Sequence, residues 1–148
     1  MSTYLVALVV CDYTRIQDIS KSGVILSVYT PPNMIKQAEF ALGVATRLFD
    51  YFQFFFGVSY PLPKLDLVAV PDFAPGAMEN WGLALFRESA LLLDKNTTSS
   101  AAKQRVVLII AHEIAHQVSI DRCPSSPLLI LPIYVFTSHL SFSKKKKI

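Results

Sequence analysis

His112 and His116 stand four residues apart in a chain that contains three histidines in all. On an α-helix this spacing puts both imidazoles on one face, one turn apart, where they can converge on a single ion. On a strand they would lie roughly 13 Å apart and could not share a metal. The proposed chemistry therefore demands a helix. On that helix Glu113 is turned by about 100° from His112, so it stands beside the metal rather than on it. A general base must stand there to take a proton from an attacking water. Ile114 and Ala115 are apolar, as expected for a helix half sunk in a core. The bland alternative is a core helix with two incidental histidines, and the scarcity of histidine in the chain weighs against it.

Zinc is the ion that this residue set suits. A catalytic zinc takes three protein ligands and keeps an open position. His112 and His116 supply two. No glutamate follows Glu113, so the downstream candidates for the third place are Asp121, Cys123 and His139.

These residues must be held by regular elements. Tyr4–Val10 is apolar and β-rich and reads as a strand, as does Gly23–Thr30, which Pro31-Pro32 ends. Asn33 is a candidate N-cap for a long helix. Its apolar positions would be Ile35, Ala38, Ala41, Leu42, Ala45, Leu48, Phe49, Phe52 and Phe56, with Gly57 as the stop. Leu65–Val70 reads as a strand, Pro71–Gly76 as a turn, and Trp81–Leu93 as a strand-like return. After a loop over Asp94–Ser100, Ser99 or Ser100 caps a helix running from Ala101 to about Gln117. Val106–Ile110 is β-branched and could pass for a strand, but the histidine spacing decides for helix. Beyond Val118, the residues Pro124, Pro127 and Pro132 break any long helix. The reading is of an α+β fold, a mixed sheet packed on helices.

The stretch Val70–Gly82 (VPDFAPGAMENWG), then Arg87–Leu92 (RESALL) and His112–Gln117 (HEIAHQ), resembles the gluzincin zinc aminopeptidases. The similarity is greatest to the oxytocinase, endoplasmic-reticulum and puromycin-sensitive group. It spans residues 1–117 and rests on two motifs in the family's order. It implies a thermolysin-like metallopeptidase catalytic domain that removes N-terminal amino acids from peptides, with one zinc per site. His112 and His116 match the family's zinc ligands, and Glu113 matches its general base. Gly76, Ala77, Met78, Glu79 and Asn80 match the motif that lines the substrate cleft. Glu79 matches the carboxylate that binds the free α-amino group, a charge-assisted contact that would restrict cleavage to chain ends.

The resemblance stops at Gln117. The family's glutamate ligand would fall on Val135, and its oxyanion-stabilising tyrosine has no match. The resemblance therefore implies a truncated domain. Residues 1–15 would be a remnant of a preceding β domain, 16–117 the first part of the catalytic domain, and 118–148 a divergent tail. The expected function is zinc-dependent aminopeptidase, inactive or weakly active in this chain. The alternative is a non-catalytic peptide-binding or regulatory fragment.

Composition narrows the partners. The chain has 148 residues, 52% hydrophobic and 17% charged, enough for a core and unlike disorder. The net charge of +3 owes much to Lys144–Lys147. No basic stripe is interleaved with aromatics, so nucleic acid is not expected. The expected partners are a peptide with a free N-terminus and a full-length aminopeptidase. The lysine run is only a weak pointer to anionic membranes. No apolar stretch approaches the ~20 residues of a spanning helix, and Met1–Val10 lacks the basic start of a signal peptide. Asn96-Thr97-Thr98 is a glycosylation sequon with meaning only in a secretory compartment. Cys11 and Cys123 leave the compartment undecided.

Overall fold

β-branched and aliphatic runs separated by proline and glycine build the sheet on which the rest of the chain is laid. The computed structural model describes residues 5–94 and 98–119. Five strands, β1 (Thr14–Ile19), β2 (Ile25–Thr30), β3 (Lys64–Val70), β4 (Ala77–Met78) and β5 (Leu83–Arg87), form one mixed sheet in the order β1-β2-β3-β5-β4. β1 and β2 are an antiparallel hairpin, with Ile16 opposite Val28. β2, β3 and β5 are parallel neighbours, and β4 closes the edge antiparallel to β5, with Ala77 opposite Phe86 and Met78 opposite Leu85.

Helices α1 (Glu39–Phe56) and α3 (Ser100–Ser119) pack on each other and, with the sheet, share one core. A third helix, α2 (Glu88–Leu91), is a single turn directly after β5. Leu26, Val28, Leu65, Leu67 and Phe86 of the strands meet Val44, Phe49 and Phe52 of α1 and Val106, Ile110 and Ile114 of α3, all buried. The α3 residues recur every four positions, which is one stripe of a helix. Val106–Ile110 is helical despite its β-branching, as the histidine spacing requires. Phe49 also meets Tyr60 edge to face, ring centroids 5.1 Å apart. Among the described residues no helix is long and apolar enough to cross a membrane.

Local chemistry sets the helix ends. Gly57, at φ +60°, takes the left-handed conformation that ends α1, and its N–H bonds back to the Gln53 and Phe54 carbonyls. Ser99 caps α3, its Oγ accepting the Ala102 N–H at 3.2 Å.

Three expectations are corrected. The strand expected over Tyr4–Val10 does not form: Tyr4 lies outside the described residues, and residues 6–13 have no regular structure. Among the described residues no neighbouring strand pairs with this segment. Leu5 is buried instead, its carbonyl accepting the Trp81 N–H at 3.0 Å, while Val6, Leu8 and Val10 are exposed. Asn33 does not cap the long helix. Pro32–Gln37 is a 3-10 segment with Met34 N–H bonded to the Pro31 carbonyl at 2.9 Å, and the α-helix starts at Glu39. Pro31-Pro32 fix the backbone there and favour the tighter turn. Of the strand-like return Trp81–Leu93, only Leu83–Arg87 is strand; the chain then folds into α2.

Candidate functional site

Helix α3 carries three kinds of side chain. The Val106–Ile110–Ile114 stripe enters the core. His112 and His116 lie on another face, half-buried. Gln117 falls within the core stripe and Glu113, one turn earlier, beside it on the side of the histidines; they are 1% and 5% exposed. A carboxylate beside a histidine pair is therefore buried because α3 packs along α1 and against α2 and β4.

The Nε2 atoms of His112 and His116 face each other at 3.1 Å, with ring centroids 4.6 Å apart and planes at 76°. Two nitrogens bound to one tetrahedral zinc at ~2.0–2.1 Å would stand roughly 3.3 Å apart. The separation of the two nitrogens is thus close to that of two ligand positions on one ion. Burial and the neighbouring His116 both lower the proton affinity of His112, against an opposing pull from the Glu79 carboxylate. The neutral imidazole so favoured is the metal-binding form. Among the described residues no three His, Cys, Asp or Glu side chains are grouped to hold a metal. Asp121, Cys123 and His139 lie outside them, as do Asn96, Val135 and Lys144–Lys147.

Glu113 has one carboxylate oxygen, Oε2, that is buried with no hydrogen-bond partner among the described residues. Burial, with a smaller contribution from Glu79, pushes its pKa up to about 8. The burial favours the protonated carboxyl over the carboxylate. A divalent cation at the histidine pair would pull that value down.

Residues 76–82 form the other wall. Ala77 and Met78 are the edge strand β4, and the chain then turns over Glu79–Gly82. The influence of Glu79 on both His112 and Glu113 puts its carboxylate within electrostatic reach of α3. Arg87 anchors the preceding turn: its Nε donates to the Phe73 carbonyl at 2.7 Å, its Nη2 to that of Ala74 at 3.1 Å, and its backbone N–H to that of Gly76 at 2.7 Å. Gly82 needs to be glycine. Its φ is +73°, and a Cβ would lie 2.8 Å from Leu62 Cδ1.

One residue joins the two walls. Gln117 Oε1 accepts from the Gly82 N–H at 3.0 Å and from the Tyr60 hydroxyl at 3.2 Å. Its Nε2 donates to the carbonyls of Glu79 at 2.9 Å and Asn80 at 2.8 Å. The structure thus brings together Glu79, Asn80, His112, Glu113 and His116, with Gly76, Ala77 and Met78 leading into the turn. Sequence reasoning missed Gln117, Tyr60 and Gly82. The available signal was helical phase: position 117 lies one turn from Glu113 on a face next to the core, where a polar side chain must find partners.

The family model described as the Peptidase family M1 domain matches residues 40–121. The chain is similar to endoplasmic reticulum aminopeptidase 2 of Bos taurus, 52% identical over 117 residues that cover 79% of this chain and 12% of that protein. It is 50% identical to endoplasmic reticulum aminopeptidase 1 of Homo sapiens and 49% to glutamyl aminopeptidase of Bos taurus, with the same coverage of each. The chain spans about an eighth of the length of these curated relatives.

Proposed function

The chain belongs to peptidase family M1, and from that premise we propose that its site serves the zinc-dependent removal of N-terminal amino acids from peptides. The observation that carries this reading is the tie between walls: the helix bearing His112 and His116 also holds the backbone of Glu79 and Asn80 through Gln117. A carboxylate able to take a substrate's α-ammonium and a histidine pair able to take a metal are thereby built into one frame.

His112 and His116 would hold the ion. When bound, zinc would supply Lewis-acid polarisation of the scissile carbonyl. Two further parts of the reading fall to described side chains, Glu79 and Glu113. Glu79 binds the terminal ammonium by a charge-assisted contact, which sets the first peptide bond at a fixed distance from the chain end. Glu113 takes the proton of the attacking water and passes it to the leaving amine. A carboxylate whose pKa environment lies near neutrality suits both halves of that transfer. The edge strand β4 supports the substrate from the side.

The test is binding of a short peptide amide against its N-acetylated form, followed by isothermal titration. The wild-type chain should favour the free N-terminus by about tenfold, the scale of one charge-assisted hydrogen bond. Glu79→Gln should erase the preference. Equal binding of the two peptides by the wild type would sink the proposal. A preference that survives while zinc never binds would favour a non-catalytic peptide-binding module.

A further inference from the structure

The side-chain amide of Gln117 is used at both poles. Its oxygen accepts two protons, from Gly82 and Tyr60, and its nitrogen gives two, to Glu79 and Asn80. The three residues of the turn are bound by backbone atoms, so the contact reads the path of the chain rather than its side chains. The tie is short, nine-tenths or more buried, and rooted one residue after His116 on a helix of twenty residues. Tyr60 shares the amide oxygen with Gly82; its ring leans on Phe49, and its own N–H is held by Gln53 Oε1 at 3.1 Å.

We propose that Gln117 is a positioning residue: it sets where Glu79 stands relative to His112 and His116, and so where a bound ammonium stands relative to the metal ligands. The inference rests on the reading of Glu79 as the amine-binding group. Few side chains can do this. Glutamate keeps the acceptor for Gly82 but, when ionised, turns its charge on the Glu79 and Asn80 carbonyls. Leucine fills the space but takes away the partner of the Glu79 carbonyl, the Gly82 N–H and the Tyr60 hydroxyl, while the Asn80 carbonyl keeps only the Leu83 N–H. Asparagine keeps both poles but falls one methylene short. A misplacement near 1 Å at a substrate-holding group can cost on the order of 10² in reactivity, so a tie of this kind has consequences well beyond its own bonds.

The experiment uses the full chain, isotopically labelled, as wild type and as Gln117→Glu. The first readout is hydrogen exchange of the Gly82 amide compared with Leu67 and Ala69 in β3. Exchange at Gly82 should rise by about tenfold or more while the β3 amides hold, because the carboxylate, although it keeps an acceptor for Gly82, removes the donor that holds the Glu79 and Asn80 carbonyls and so frees the turn. The second is the affinity ratio between leucyl-glycinamide and N-acetyl-leucyl-glycinamide. The wild-type preference for the free amine should shrink severalfold in Gln117→Glu at a temperature where both chains are folded. A merely structural role would lower the melting temperature and leave that ratio alone. Unchanged Gly82 exchange, or an unchanged ratio in a folded variant, overturns the proposal. A wild type with no preference sinks the amine-binding reading and the substrate half of this inference with it; Gly82 exchange then still decides whether Gln117 holds the turn. If Gln117→Glu does not fold, Gln117→Asn carries the same two readouts.

Discussion

Tyr60 and Gln117, 57 residues apart in the chain, meet in the interior, the phenol donating to the amide oxygen at 3.2 Å. Burial, helped by the Asp66 carboxylate, holds the phenolic proton well above the ordinary value of 10.0. The sign follows from linkage. A group whose folded-state pKa is raised contributes fully below its unfolded value and loses that contribution as pH climbs past it. Wild-type stability should therefore fall steeply above about pH 10. Tyr60→Phe should be less stable by about 1 kcal/mol near neutrality, from the lost hydrogen bond, and should show a shallower alkaline decline. Denaturant titrations of both chains from neutral to alkaline pH measure this; parallel curves would refute it.

Zinc retention is the second prediction. Two imidazoles 3.1 Å apart make half of a tight site, and affinity should lie far below that of a closed three-ligand centre. After dialysis against a mild chelator the chain should keep less than one zinc, by elemental analysis. His112→Ala and His116→Ala should each remove the remainder. One firmly held zinc per chain would assign the third place to Asp121, Cys123 or His139.

Catalysis is the third. No glutamate follows Glu113 in the sequence, and no tyrosine matches the family's oxyanion donor. Loss of such a donor alone costs on the order of 10²–10³ in rate. Release of the N-terminal residue from a leucyl or alanyl anilide should stay below detection. The comparison is wild type against Glu113→Gln, each with and without chelator. Robust turnover abolished by both treatments would mean that residues 118–148 rebuild a working centre.

The parts of the fold that were legible in sequence are those in which one residue type answers a local demand. Gly57 was the expected stop because glycine enters the left-handed region freely, and of the two expected caps, Ser99 and Ser100, it is Ser99 whose hydroxyl reaches the third N–H of the helix. His112 and His116 announced their helix through spacing alone. What failed depended on neighbours. Leu5–Val10 has the composition of a strand, but among the described residues it joins no strand ladder. Glu88–Leu91 continues the apolar run of β5, yet the chain turns it into a helix packed against α3. Gln117 was visible as part of a motif, but its partners lie 35 to 57 residues earlier, a distance that no local pattern encodes.

The order β1-β2-β3-β5-β4 leaves two edges, and each is unattractive to a second chain in its own way. β4 has only two residues, so a foreign strand finds little ladder to extend before the backbone turns away into Glu79. β1 is longer, but it carries Arg15, Gln17 and Asp18 and takes its register from a tight hairpin with β2. Among the described residues the parallel centre of the sheet is thus flanked on both sides by strands that offer little for edge-to-edge pairing.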